Sequence, residues 1–307
     1  MTHSVVYGAP PPALVPFDLA SDLANAVQVS PLVPGSTGLE TLGTASLDLA
    51  VLAAPPGTLE RRMALAGALQ ALRPGGRLIA LAPKDKGGAR LRKEIEGFGC
   101  AVVETSKQHQ RICEVARPEA LSGIKAALDE GAARFVPGLD LWSQPGVFSW
   151  DRADPGSRLL VETLPPLTGD GADLGCGVGY LARAALASPK LKTISLIEID
   201  RRAIDAARRN ITDPRAQILW ADVRTRPTPA SGLDFVIANP PFHDNGREDQ
   251  ALGASFIQTA SAMLRRGGSF WLVANRHLPY EMTLAGAFAT VTSRADAHGF
   301  KVYEARR

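Results

Sequence analysis

The chain has 307 residues, 45% hydrophobic and 21% charged, with a formal net charge of +3. That is apolar material for one large domain or two ordinary ones, and the small charge excess excludes a polycation held to nucleic acid by bulk attraction. Cys100, Cys113 and Cys176 are the only cysteines and have no paired or metal-type spacing, so neither a disulfide scaffold nor a metal is expected. The first residues lack a basic stretch followed by an apolar one, and no apolar run is long enough to span a bilayer, so a soluble cytoplasmic protein is expected. Residues 1–140 carry 14 Lys+Arg against 14 Asp+Glu, and residues 141–307 carry 20 against 17. The slight basic excess lies in the second half, where it permits a local patch.

From about residue 45, short apolar runs alternate with helical stretches. Residues 47–53 (LDLAVLA) predict a strand, 59–72 a helix, 77–82 (RLIALA) a strand, 89–98 a helix and 101–104 a strand. Such β-α-β alternation predicts a parallel, helix-covered sheet. Between 115 and 150 the pattern dissolves into Pro, Gly and charge, and a second alternating series starts near Ser157. Two domains are therefore expected, 1–125 and 140–307.

The two series repeat each other. LDLAVLAAPP (47–56) matches LDFVIANPP (233–241) with a one-residue slip, and ALRPGGRLIALAPK (71–84) matches MLRRGGSFWLVANR (263–276). Both keep the order strand, proline pair, helix, Gly-Gly turn, strand, which favours a duplication over chance. The second copy has Asn239 before its prolines, where the first has Ala53 or Ala54.

Residues 171–181 read GADLGCGVGYL and lead into ARAALA. An acidic residue ends an apolar strand, a D-x-G-x-G-x-G loop follows, and a helix opens. Glycines let a ligand approach the main chain closely. A dinucleotide turn would need its third glycine three residues after the second, but Tyr180 stands there and Gly179 arrives one residue early. Asp173 before the loop suits an amino-bearing ligand better than a diphosphate. The next strand, SLIEID, brings Glu198 to its end, where a carboxylate accepts ribose hydroxyls; Asp200 reads as the cap of RRAIDAARRN. AQILWADV ends at Asp222, placed to accept from an adenine amino group.

This order, DLGCGVG, Glu198, Asp222 and then NPPF, resembles the class I S-adenosylmethionine-dependent methyltransferases. The resemblance implies a seven-stranded fold and S-adenosyl-L-methionine as cofactor. It implies that Asp173, Gly175, Gly177 and Gly179, with Cys176 among them, cradle the methionine part, Glu198 takes the ribose and Asp222 the adenine. Together these readings predict an α/β protein of two tandem Rossmann-like domains. The C-terminal one is a seven-stranded, mostly parallel sheet with helices on both faces, and the N-terminal one is degenerate, without a cofactor site.

VIANPPF (236–242) delivers Asn239 to the carboxyl edge of that sheet, where α/β folds bind ligands. An exocyclic nucleobase amine is planar and poorly nucleophilic. Acceptors for both its hydrogens help it pyramidalise toward a sulfonium methyl. Asn239 Oδ1 and the Pro240 carbonyl are suited to this, proline fixing the backbone and removing a competing donor, and Phe242 is suited to stack on the base. The candidate catalytic residues are therefore Asn239, Pro240, Pro241 and Phe242, Asn239 also bordering the cofactor. His243 reads as a solvated loop residue.

NPP followed by an aromatic is shared by enzymes acting on nucleic-acid amines and on a protein glutamine amide, so chemistry alone does not choose. QPGVFSWDRADPGSRLLVETLPP (144–166), NPPFHDN and VANRHLPYE (273–281), with the degenerate first half, resemble the C-type ribosomal RNA guanine-N2 methyltransferases of the small ribosomal subunit and their large-subunit relatives. That resemblance implies ribosomal RNA or a partly assembled subunit as partner and an N-terminal domain that binds RNA or supports the fold; a monomer is expected. KDKGGARLRK (84–93) reads equally as a phosphate-contacting loop or a solvated helix start. Protein glutamine-N5 methylation, DNA adenine-N6 methylation and a catalytically silent RNA-binding assembly factor are the alternatives. A nicotinamide dehydrogenase is disfavoured by the glycine spacing.

Overall fold

A computed structural model describes residues 3–225, 230–241, 243–244, 247–248 and 250–307. These fall into two compact units, one built from residues 1–133 with 144–146 and one from 134–143 with 147–307.

The first unit contains β1 (Ser4–Tyr7), α1 (Ala20–Ala24), β2 (Val27–Gln28), β3 (Leu47–Ala53), α2 (Thr58–Ala71), β4 (Leu72–Pro83), α3 (Ala89–Glu96), β5 (Val103–Lys107), β6 (Gln110–Ala116) and α4 (Ile124–Gly131). Its six-stranded sheet runs β2-β1-β3-β4-β6-β5, parallel through β4, with β6 antiparallel to β4. Side chains alternate along the central strands: Ala50, Leu52, Leu78 and Ala80 join one buried cluster with α2 and α3, while Leu49, Val51, Ile79 and Leu81 join another with Leu14 and Leu19. A strand buried on both faces reads as a continuous apolar run, as LDLAVLA does.

The second unit contains a hairpin, β7 (Arg134–Val136) and β8 (Leu141–Ser143), then α5 (Pro155–Thr163), β9 (Gly169–Leu174), α6 (Tyr180–Leu186), β10 (Leu191–Glu198), α7 (Arg201–Asn210), β11 (Ala216–Trp220) and β12 (Leu233–Ala238). After these come β13 (His243–Asp244), β14 (Arg247–Glu248), α8 (Gln250–Met263), β15 (Leu264–Asn275), α9 (Tyr280–Ala287), β16 (Thr290–Ala297) and β17 (Phe300–Arg306). The seven-stranded sheet runs β11-β10-β9-β12-β15-β17-β16; β17 alone opposes the direction of the others. Ala172, Val236, Phe270 and Leu272 face one buried cluster with α8 and α9. Ile194, Ile237, Trp271 and Val273 face the other with α5 and α6.

The two sheets share one plan. Removing the edge strand β11 from the second leaves the strand order and directions of the first. The expected α/β fold with two such sheets is present, and the seven-stranded sheet is mostly parallel. The registers also settle the one-residue slip in the repeat. Leu52 pairs with Ala80 and Ala238 with Leu272, and Ala80 and Leu272 each lie four residues past their Gly-Gly turn. Ala53 is therefore the counterpart of Asn239, and Ala54 is the extra residue.

Candidate active site

Three neighbouring parallel strands bring the predicted residues to one edge. On β9, Asp173 lies beside Leu196 of β10 and Ile237 of β12, and Leu174 lies beside Ile197 and Ala238. Glu198 ends β10 opposite Trp220 of β11. Asn239 follows the last residue of β12 and leaves the sheet next to the glycine loop.

In that loop Gly175, Gly177 and Gly179 have φ of 68°, 53° and 91°, a region side chains disfavour. A Cβ built on Gly177 would meet nothing within 4 Å, so this stretch of main chain stands open to a ligand. Gly175 N–H donates to the Ile197 carbonyl at 2.8 Å and Gly177 N–H to Glu198 Oε2 at 2.9 Å. Glu198 Oε1 accepts from the amides of Ile199 and Asp200 at 2.7 and 2.9 Å. The residue predicted for the ribose thus also braces the glycine loop. Burial raises its carboxyl above the usual range despite those amides.

Asp173 is fully buried, and neither carboxylate oxygen has a hydrogen-bond partner. Burial, reinforced by the nearby charge of Glu198, pushes its carboxyl up to about 8, with only the Ala182 amide pulling the other way. An unsatisfied buried carboxylate is costly, and an amino group presented to it would relieve that cost. The Cys176 thiol is likewise buried and raised well above its ordinary value by desolvation, so it lines the loop as an apolar, un-ionised group.

Asp200 caps α7, accepting from the Arg202 amide at 2.9 Å. Asp222 lies two residues past β11 with its carboxylate held by Arg224, whose guanidinium donates to Oδ1 and Oδ2 at 2.7 to 3.0 Å. That hydrogen-bonded ion pair lowers its carboxyl below the usual range. An adenine amino group would share this carboxylate with Arg224.

At the end of β12, Pro240 is buried and Pro241 exposed. Phe242 lies outside the described residues, as does the side chain of His243. Asn239 Oδ1 is buried without a partner, while Nδ2 donates to Asp154 Oδ2 and to Ser157 Oγ, both at 2.8 Å. Asp154 and Ser157 were not singled out from the sequence. The available signal was the D-P-G-S stretch before a helical run, a capping pattern with proline at the first helical position.

An orphaned buried acid, an open glycine loop and acidic residues at three successive strand ends fit S-adenosylmethionine, which joins an ammonium, a ribose and an adenine. The fold and this donor set define the class, a class I S-adenosylmethionine-dependent methyltransferase. Residues 138–304 match the methyltransferase small domain family. A ribosomal RNA small subunit methyltransferase C of Shewanella piezotolerans is 32% identical over 247 residues, covering 76% of this chain and 69% of its own. The Pseudomonas putida enzyme of that name is 30% identical over 277 residues, covering 86% and 80%. Among solved structures, the 16S rRNA N2 G1207 methyltransferase of T. thermophilus, in complex with AdoMet and guanosine, superposes with a TM-score of 0.80 at 25% identity, over 100% of this chain and 88% of its own. The chain belongs to the ribosomal RNA small subunit methyltransferase C family.

Proposed function

We propose that this enzyme methylates the exocyclic N2 of a guanine in small-subunit ribosomal RNA, working in the cytoplasm on free RNA or a partly assembled subunit. The observation that carries the site assignment is the buried, unpartnered Oδ1 of Asn239 beside the glycine loop. S-adenosylmethionine, when bound, supplies an electrophilic methyl on a sulfonium. Asp173 and the main chain of 175–179 hold its amino-acid end, Glu198 its ribose and Asp222 its adenine.

The guanine amine is planar because its lone pair is delocalised into the ring. Asn239 Oδ1 accepts one of its hydrogens and the Pro240 carbonyl the other. Both contacts strengthen as the nitrogen pyramidalises and gains positive charge, so they favour the transition state over the ground state. Phe242 is assigned the stacking that aligns the base. The product loses its proton to water, and no side-chain base is required. A paired guanine must be unstacked to reach this edge, which favours a single-stranded or incompletely assembled substrate. The first unit, with alanine at the corresponding strand end, has no catalytic role and supports the fold or contacts RNA. Its likeness to the second unit reflects an ancestral duplication.

Labelled S-adenosylmethionine incubated with small-subunit rRNA, partly assembled subunits, DNA and ribosomal protein tests this. Label in RNA, mapped by mass spectrometry to N2-methylguanine, is the expected result. Label in protein or DNA alone would overturn it.

A further inference from the structure

We propose that Asp154 and Ser157 are positioning residues that lock the Asn239 side-chain amide with its oxygen toward the methyl acceptor. This rests on the reading above, in which Asn239 accepts from the reacting amine.

An asparagine amide has nearly the same shape when its oxygen and nitrogen exchange places. Its chemistry toward an amine does not survive the exchange, because the flipped group would meet the amine hydrogens with two more donors. The neighbours of Asn239 decide the matter. Both Nδ2 hydrogens are committed, one to Asp154 Oδ2 and one to Ser157 Oγ, each at 2.8 Å. A carboxylate offers only acceptors, so the Asn239 atom facing Asp154 must be the nitrogen. Rotation would set oxygen against carboxylate and bury both N–H groups without acceptors. Oδ1 is thereby left as the one free polar atom of the side chain, buried and unpartnered. The negative charge of Asp154 also polarises the amide through this bond, which makes Oδ1 a stronger acceptor for an amine gaining positive charge.

Asp154 is itself fixed. It is the N-cap of α5, where Oδ2 accepts the Ser157 amide at 2.7 Å, and Pro155 occupies the first turn. A Cβ on Gly156 would lie 2.7 Å from the Phe300 ring and 3.1 Å from Asp154 Oδ2, so a side chain there would displace the ring and crowd the carboxylate. Leu159 and Leu160 of α5 anchor the helix in the core with Trp271 and Val302. Every position of the D-P-G-S stretch thus serves the placement of one carboxylate and one hydroxyl against Asn239.

A double-mutant cycle between residues 154 and 239 tests this, with kcat and KM measured on small-subunit rRNA from a strain lacking the enzyme. S-adenosylmethionine affinity is measured by calorimetry and folding by thermal melting. Asp154→Ser keeps a good helix cap, but a hydroxyl donates as readily as it accepts, so the Asn239 amide can turn over and the lock is released. Its kcat should fall by roughly tenfold to a hundredfold, with melting temperature, KM and cofactor affinity little changed. Asn239→Asp should lose activity because two carboxylates then face each other. The double variant restores the pair with its sense reversed. The hydroxyl now at position 154 accepts the Ser157 amide with its oxygen and donates its hydrogen to the carboxylate now at position 239, and the Ser157 hydroxyl rotates to donate as well. The second oxygen of that carboxylate stays open to the amine. The kcat of the double variant should exceed the value expected from multiplying the two single losses by roughly tenfold.

Losses that simply multiply, or an Asp154→Ser enzyme of unchanged kcat, would overturn the proposal. So would parallel loss of stability and cofactor affinity, since Asp154 would then be only a helix cap. Asn239→Ala, assayed alongside, separates the two readings: if it stays active, the acceptor role of Asn239 is wrong. If it is inactive while the cycle is multiplicative, only the positioning role is wrong.

Discussion

The central strands β3 and β12 end in related sequences and complete them in opposite ways. In the first unit, Ala53 stands in the place of Asn239, and the carbonyls of Pro55 and Pro56 accept from Arg61 Nη1 at 3.1 and 2.7 Å. The rest of that guanidinium makes a two-pronged pair with Glu94 at 2.6 and 2.7 Å. Both side chains are buried, at 1% and 9% exposure. The strand end is closed by the chain's own donors. In the second unit the corresponding edge keeps Asn239 Oδ1 and both Asp173 oxygens buried and unsatisfied. Native interiors rarely tolerate such atoms, and where they persist an explanation in function is due. One strand end is satisfied internally, and the other keeps buried acceptors open.

The closed strand end depends most heavily on Arg61. Arg61→Ala leaves Glu94 buried without its counter-charge and two proline carbonyls without donors. It should cost about 3–5 kcal/mol of stability in denaturant titrations. Replacing Arg61 by Met and Glu94 by Leu together should cost much less, because no charge is stranded. Cofactor affinity of the folded protein should be unchanged in both. If Arg61→Ala were neutral, the closed strand end would not be a structural device.

On the other side, Asn239→Ala removes the acceptor that the proposed mechanism places on the reacting amine. A loss of kcat of about 10²–10³-fold is expected, comparable to deleting one oxyanion-hole donor, with cofactor affinity retained. Loss of cofactor binding at constant activity per bound cofactor would reassign the residue.

Much of this contrast was visible in the sequence because it lies in short-range patterns. Strand β3 and helix α7 have the predicted bounds, since continuous apolar runs and an Asp-capped amphipathic stretch leave little choice. The glycine loop and the acids at the ends of β9 and β10 were legible for the same reason. Strands β1 and β2 were not, because four-residue and two-residue strands carry too little periodicity. Arg61–Glu94 and Asp154–Asn239 were not legible either. They join residues 33 and 85 positions apart, and how the helices pack on the sheets decides who meets whom. Glu198 was expected to take the ribose, and the structure adds that its oxygens accept from three backbone amides of the loop and the turn after β10.

Asp173 offers a gentler test, through pH. Its carboxyl sits at about 8 in the folded protein, against 3.8 ordinarily. Between those values the unfolded chain has lost the proton and the folded one retains it, so stability falls as pH rises from about 4 to about 8 and is level above. Asp173→Asn removes that dependence, so the ligand-free variant should melt higher than the wild type at pH 8. Its S-adenosylmethionine affinity should drop by roughly tenfold or more, the loss of a charge-assisted contact. In the wild type at pH 7, cofactor binding should release close to one proton, visible as a dependence of the binding heat on buffer ionisation enthalpy. A wild type and variant with parallel stability profiles would show that Asp173 is ionised before the cofactor arrives.

The smallest effect is expected from restoring the missing amide. Ala53→Asn recreates the residue order of the second copy at the end of β3, in a half-buried position. The change should cost no more than about 1–2 kcal/mol, the range for an ordinary point substitution. In an Asn239→Ala background it should return no methyl transfer. The first unit lacks a D-x-G-x-G-x-G loop, and its proline carbonyls are already taken by Arg61. An added acceptor there has neither a methyl to direct nor an open edge to receive an amine. Activity recovered in that double variant would mean that the proline-pair strand end, and not its combination with the glycine loop, makes the site.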